Sequence, residues 1–120
     1  MRKIAFLTCR GGWPQAALMS DDEEIALDQA IDYYDAVVNS DIQRVDDVNR
    51  DPERVKRLMR SYARFQGSQS SFTEICKDME ANEKSGLDEN TISSYLNALR
   101  QIFVVEDMHA WNPNLRSKTA

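Results

Sequence analysis

Apolar residues recur along the chain at the three- and four-residue spacing of a helical face, in four stretches separated by polar breaks. The pattern predicts helices near 21–39, 52–66, 72–80 and 89–102. The run Phe103-Val104-Val105 then changes to β-type residues, which predicts a short strand near 103–107. We therefore expect a mainly α protein with a tri-helical, winged-helix-like (helix-turn-helix) core and a short, incomplete β wing. The predicted core residues are Leu58, Tyr62, Ile75, Leu96 and Leu99.

A serine or an aspartate stands before each predicted helix, where an N-cap is expected. Ser20 and Ser71 are each followed three residues later by a glutamate, which is the spacing of a capping box. Asp51 is followed by Pro52, a residue favoured at the first helical position. Asp88 stands before the last helix. These signals fix the expected helix starts.

The chain is expected to comprise a helical extension and connector, residues 1–50, and a winged-helix-like domain, residues 51–120, that is truncated in its wing. Met1 to Thr8 have the pattern of a helix end, which Gly11-Gly12-Trp13-Pro14 breaks, and Pro14 begins a short helical turn. The stripe of helix 21–39 that should face the core consists of Leu27, Ala30, Ile31, Tyr34, Val37 and Val38.

Three further apolar residues of that helix, Ile25, Tyr33 and Ala36, lie outside its core-facing stripe. They suggest a second contact surface. A wing strand without its return partner would also leave unpaired backbone groups, which can pair with another chain. We therefore expect self-association, through helix 21–39 or by strand pairing.

Composition restricts the classes of function. Net charge is −5, and it is uneven: residues 1–50 hold ten acids and five bases, whereas residues 51–120 hold ten of each. No stretch is apolar enough for a membrane span, and the apolar run near the N-terminus lacks the features of a signal peptide. The two cysteines, Cys9 and Cys76, form no motif, which fits a reducing compartment. A cytoplasmic location is expected.

No catalytic constellation stands out in the sequence. A P-loop motif is absent, so the isolated chain should neither bind nor hydrolyse Mg-ATP. His109 is the only histidine, and it has no evident nucleophile or zinc-ligand spacing around it. We expect no enzyme activity, no cofactor and no metal.

Nucleic acid is the first candidate partner, because helix-turn-helix proteins read DNA with the second helix of the pair. Arginines of helix 52–66 would lie near phosphates. Against DNA, the acids Asp88 and Glu89 occupy the end of helix 89–102 that would meet it. The alternative is a protein–protein interaction module with a solvated polar face. The residues predicted to face nucleic acid are Asn90, Ser93, Ser94, Asn97 and Arg100, with Arg57, Arg60 and Arg64 beside the phosphates.

Short motifs follow one another in order along nearly the whole chain. They are Arg10-Gly11-Gly12-Trp13-Pro14, Asp41-Ile42-x-Arg44, Asn49-Arg50-Asp51-Pro52-Glu53-Arg54-Val55, Leu58-Met59-Arg60-Ser61-Tyr62-Ala63-Arg64, Thr91-Ile92-x-x-Tyr95-Leu96-x-x-Leu99 and the segment from Phe103 to Lys118. Together they resemble a group of prokaryotic AAA-superfamily ATPases, in which an N-terminal P-loop ATPase precedes a C-terminal domain of unknown function.

The resemblance implies that the chain corresponds to the middle of such a protein, after the ATPase module and before the C-terminal domain. The family's nucleotide site lies in the missing N-terminal part, so no nucleotide-binding residue is carried over to this sequence. The expected function is therefore that of a non-catalytic winged-helix segment. It would bind DNA weakly, or it would couple the ATPase to the C-terminal domain or to a neighbouring subunit.

Overall fold

The computed structural model describes residues 1–19 and 21–108, and that part of the chain contains six α-helices and no strand. A 3-10 turn over Asp41–Arg44 lies between the third and fourth helices. The mainly α fold class is confirmed. None of the described helices is long and apolar enough to cross a bilayer. The helices are α1 (Arg2–Arg10), α2 (Pro14–Leu18), α3 (Glu23–Asn39), α4 (Pro52–Arg64), α5 (Phe72–Asn82) and α6 (Glu89–Gln101).

Local capping determines where the last three helices begin. The Ser71 hydroxyl accepts a bond from the backbone N–H of Glu74, and the Glu74 carboxylate accepts one from the backbone N–H of Ser71. Asp51 and Asp88 accept backbone bonds in the first turns of α4 and α6. These three predicted caps are confirmed because capping depends on residues close together in sequence.

The start of α3 differs from the prediction. This helix begins at Glu23, and its N-cap is Asp22, whose carboxylate accepts bonds from the backbone N–H groups of Glu24 and Ile25. The predicted cap, Ser20, lies outside the described residues. The helix dipole favours the acids in this first turn.

One hydrophobic core connects the end of α3 with α4, α5 and α6. All five predicted core residues belong to it or pack against it, with Tyr62 half-buried at its edge. The core also includes residues that precede position 50, whereas the division into two domains there stays a prediction. The buried members are Val37, Val38, Ile42, Val55, Leu58, Ile75, Met79, Ile92, Tyr95, Leu96, Ala98 and Leu99.

The inner stripe of α3 is narrower than predicted. Val37 and Val38 are buried, and Ala26, which was not predicted, is buried as well. Ile31 is 57% exposed, so its place in the predicted stripe is wrong. Positions 28 and 35 are neighbours of Ile31 at helical spacing, position 32 follows it in sequence, and all three are exposed aspartates. Ile31 therefore lies at the border of the solvent face.

The predicted strand near 103–107 does not form, because its first two residues, Phe103 and Val104, complete the C-terminus of α6. Phe103 adopts a left-handed conformation with φ of 59°. Its N–H donates to the carbonyl of Arg100, and the N–H of Val104 donates to the carbonyl of Leu99. This 5→2 and 6→1 pair is a Schellman motif, usually built with glycine at the left-handed position. The remainder of the predicted wing lies in residues 109–120, outside the described part.

Arg50 anchors the connector between α3 and α4. Its side chain is 1% exposed, and its guanidinium makes two bonds to Asp46, of 2.6 and 2.8 Å, and one of 3.2 Å to the carbonyl of Ile42. The guanidinium also lies 5.7 Å from the ring centroid of Tyr95 in α6. The Gln43 side chain bonds both the N–H and the carbonyl of Arg50. The connector is thereby fixed to the core.

Candidate nucleic-acid interface

The exposed face of α6 is polar and uncharged over most of its length. Asn90, Ser94 and Asn97 are exposed, and their spacing places them on one side of the helix, opposite the buried residues. Ser93 and Arg100 are half-buried and flank this side. The structure therefore brings the five predicted residues of α6 onto one broad surface, with Arg100 as its only cation.

The three arginines predicted to meet phosphates lie on α4, but two of them are already paired with carboxylates. Arg60 bonds Glu83 through Nε at 3.0 Å and Nη2 at 2.7 Å. Arg64 contacts both Asp78, with Nη2 2.5 Å from a carboxylate oxygen, and Glu83, at 3.0 Å. Among the described residues, no hydrogen bond or ion pair forms with Arg57, which is half-buried.

The carboxylate of Asp78 is the centre of this network. It accepts a 2.6 Å bond from the buried hydroxyl of Ser61 and a 2.7 Å bond from the amide of Asn82, in addition to the bonds from Arg64. The bonds from Arg64 and Ser61 lower the pKa of Asp78 to about 2. The bond from Arg60 likewise lowers the pKa of Glu83. Both acids therefore remain charged at neutral pH and neutralise their arginines.

Arg100, the one cation of α6, is also paired with a carboxylate. Its Nη2 lies 2.7 Å from the carboxylate of Asp107, which follows the helix, and its Nη1 donates to Asn97 at 2.8 Å. Asp107 also accepts a 3.0 Å bond from the hydroxyl of Tyr62. Burial and that bond raise the pKa of Tyr62. This clamp holds the segment after α6 against α4.

The N-terminal end of α6 is acidic, as the sequence indicated. Asp88 caps the helix, and the bonds it accepts from Thr91 lower its pKa. Glu89 accepts a 2.6 Å bond from the hydroxyl of Thr73 in α5. A recognition helix contacts bases mainly through its N-terminal residues. These two carboxylates would therefore repel phosphates at that end.

Metal binding and thiol chemistry have little support among the described residues. No group of three or more histidine, cysteine, aspartate or glutamate residues there could hold a metal ion. The Cys76 thiol donates to the carbonyl of Leu87 at 3.1 Å, and burial raises its pKa, so its thiolate is disfavoured. A groove of about 760 Å³ lies between the α4–α5 hinge and the segment after α6, lined in part by Phe65, Phe72 and Met108.

Sequence reasoning missed Asp78 and Glu83, although a signal for them exists. The two helices α4 and α5 are joined by a short hinge, and residues at equal distances from such a hinge meet when the helices are antiparallel. Arg64 and Asp78 lie seven residues on either side of Ser71, and Arg60 and Glu83 lie eleven and twelve residues from it. Opposite charges placed symmetrically about a predicted hairpin hinge would have predicted these pairs.

The profile of a family described as a domain of unknown function (DUF8612) matches residues 1–120. No curated protein and no solved structure matches the chain.

Proposed function

The chain belongs to the DUF8612 family, and because that family is described by a domain of unknown function, we propose a function from the geometry of the chain itself. We propose that it is a non-catalytic protein–protein interaction module. In this proposal α4–α6 form a helix-turn-helix-like, tri-helical unit, and the chain couples an AAA-ATPase-like domain to a C-terminal domain or to a neighbouring subunit in the reducing cytoplasm.

The observation that carries the proposal is the neutralisation of the cations. Binding to DNA draws most of its affinity from lysine and arginine side chains that neutralise phosphates. Here Arg60 and Arg64 are paired with Asp78 and Glu83, and Arg100 is paired with Asp107. Breaking such pairs to engage phosphates would forfeit the bonds that hold α4 to α5. The arrangement favours a structural role for these arginines.

The apolar surface of the N-terminal helices gives further support. Large apolar side chains are exposed on all three, including Ile4 of α1, Leu18 of α2 and Ile25 of α3. Apolar residues grouped on one part of a surface are characteristic of protein-binding sites. The C-terminal helices, in contrast, direct their apolar residues into the common core. We therefore assign the protein-binding surface to helices α1, α2 and α3.

Binding of DNA through α6 is the second candidate. It is favoured by the exposed amides of Asn90 and Asn97, since asparagine can bond the edge of adenine. Arg57, on the neighbouring α4, could contribute one phosphate contact. With the other cations paired, the affinity should be low and should come from few ionic contacts.

Fluorescence anisotropy with a mixed-sequence duplex, at low and at moderate salt, separates the two functions. If the chain is an interaction module, it should bind the duplex weakly at low salt and not measurably at moderate salt. Asn97→Ala should then leave duplex binding unchanged. The proposal fails if binding is strong, falls steeply with salt and is weakened by Arg57→Ala. Arg54→Ala is the matched control, because Arg54 is an exposed arginine on the same helix.

A further inference from the structure

Helix α1 packs against α3 on one side and exposes an apolar outer side. None of its residues is buried, whereas Ile4 is 67% exposed and Leu7 is 43% exposed. Phe6 and Arg10, on the inner side, are half-buried against the neighbouring helices. A nine-residue helix is marginal on its own in water, so its stability depends on the surfaces that cover it.

Charge is separated sharply between α1 and the segment that follows. Residues 1–10 hold three bases and no acid, a net charge of +3. Residues 11–50 hold ten acids and two bases, a net charge of −8. The two parts already attract each other within one copy, where Arg2 lies 3.2 Å from Glu23. Lys3 is exposed, and no ion pair forms with it among the described residues.

The outer face of α3 is complementary to this helix. Glu24, Asp28 and Asp32 are exposed and spaced by four residues, so they lie one above another along the helix. Like charges at this spacing destabilise a helix, and within the described chain no cation pairs with these three acids. Ile25 and Ile31 border them and are 46% and 57% exposed. The face thus combines uncompensated acids with apolar edges.

We propose that the outer side of α1 in one copy of the chain docks on this acidic, isoleucine-bordered face of α3 in a second copy. The inference rests on the proposed function and names its partner. Lys3 supplies the positive charge, Ile4 and Leu7 supply the apolar contact, and Asp28 and Asp32 receive the lysine. The second copy is the occupant because this chain itself carries both complementary faces.

An anionic membrane is the other surface that a basic, apolar helix could meet. The charge distribution argues against it, because the −8 segment is packed beside α1 and would be repelled by anionic lipid. Only a short apolar side is available for insertion.

Charge reversal in both faces tests the contact by sedimentation velocity of the full chain. Lys3→Glu alone and Asp28→Lys/Asp32→Lys alone should each weaken self-association at least about tenfold, because like charges then oppose each other. A mixture of the two variants should restore association, since each reversed face finds an opposite charge on the other variant. Ile4→Ser should weaken it as well. Lys77→Glu and Met108→Ser are the matched controls and should have no effect.

Three outcomes overturn the inference. They are a wild-type chain that is monomeric at every concentration, charge reversals that leave association unchanged, and a mixture that fails to restore association. Flotation with vesicles containing phosphatidylserine adds a fourth, if a monomeric chain binds them through Lys3 and Ile4. Circular dichroism confirms that each variant is folded. Failure of the proposed function is seen separately, as salt-sensitive DNA binding weakened by Arg57→Ala.

Discussion

Arg64 of α4 bonds Asp78 of α5 through its Nε, which lies 3.2 and 3.0 Å from the two carboxylate oxygens. The same carboxylate accepts the hydroxyl of Ser61, a residue buried at the interface of the two helices. Asp78 therefore satisfies a buried hydroxyl and an arginine at once. The pair joins α4 to α5, and α6 packs against α5.

Removal of this carboxylate should destabilise the fold. Asp78→Ala leaves the Ser61 hydroxyl buried without its acceptor, so we expect a loss of about 1–3 kcal/mol in the free energy of unfolding. Asp78→Asn keeps an acceptor oxygen and should lose less. Urea denaturation measures both changes. Asp47→Ala, at an exposed aspartate, is the control and should change stability little; an equal loss there would contradict the assignment.

The same pair should make the free energy of unfolding depend on pH. The pKa of Asp78 is about 2 in the folded chain, below its ordinary value of 3.8, so the unfolded chain binds its proton first as pH falls. The stabilisation is fully present above the unfolded pKa and is lost as pH falls through the folded pKa. The stability difference between wild type and Asp78→Asn should therefore shrink from about pH 5 towards about pH 2. Urea denaturation across this range measures it, and a constant difference would contradict the role of the charge.

Arg50 should be among the most sensitive positions in the chain. Arg50→Ala removes the buried guanidinium that bonds the Asp46 carboxylate and the Ile42 carbonyl. We expect the free energy of unfolding to fall by about 3 kcal/mol or more. Arg50→Lys should also be less stable than the wild type, because an ammonium cannot bond both carboxylate oxygens in the fork geometry of arginine. Thermal unfolding measures the change. Arg54→Ala, at an exposed side chain, should have a small effect.

Phe103 provides a test of how α6 ends. At φ of 59° a glycine avoids the steric cost that a side chain incurs, and Phe103 is 87% exposed, so little packing is lost. Phe103→Gly should raise the free energy of unfolding by about 0.5–1 kcal/mol. Phe103→Ala should bring no such gain. If residue 103 were in a β-strand, glycine would instead lower the free energy of unfolding. Urea denaturation measures the change, and a lower value for Phe103→Gly would support the strand over the helix cap.

The features that could be predicted from sequence are those set by near neighbours. Caps such as Ser71 with Glu74, and the apolar stripe that places Leu96 and Leu99 in the core, depend on residues within one or two helical turns. The predicted strand near 103–107 was wrong because the backbone bonds that close the end of α6 outweigh the strand preference of Val104 and Val105.

The candidate site was less predictable, because its state depends on residues distant in sequence. Every predicted α6 residue lies on or beside the exposed face, as helical spacing requires. Whether a nearby arginine can bind phosphate depends on its partner, and Glu83 lies 23 residues from Arg60. Burial of Arg50 was also unforeseen, since its partner groups come from a connector with no regular pattern. Tertiary packing decides both.

Removal of the Asp107 side chain should loosen the segment after α6 without unfolding the protein. The Asp107 side chain is 49% exposed, and a partly exposed ion pair contributes about 0–1 kcal/mol, so Asp107→Ala should change global stability by less than about 1 kcal/mol. It removes the bonds to Arg100 and Tyr62 that hold the segment after α6 in place. Hydrogen exchange of the Val104 amide, which donates to the carbonyl of Leu99, should therefore accelerate, while amides within α6 remain protected. Glu106→Ala is the neighbouring control, and equal acceleration in both variants would show that the segment is not held by Asp107.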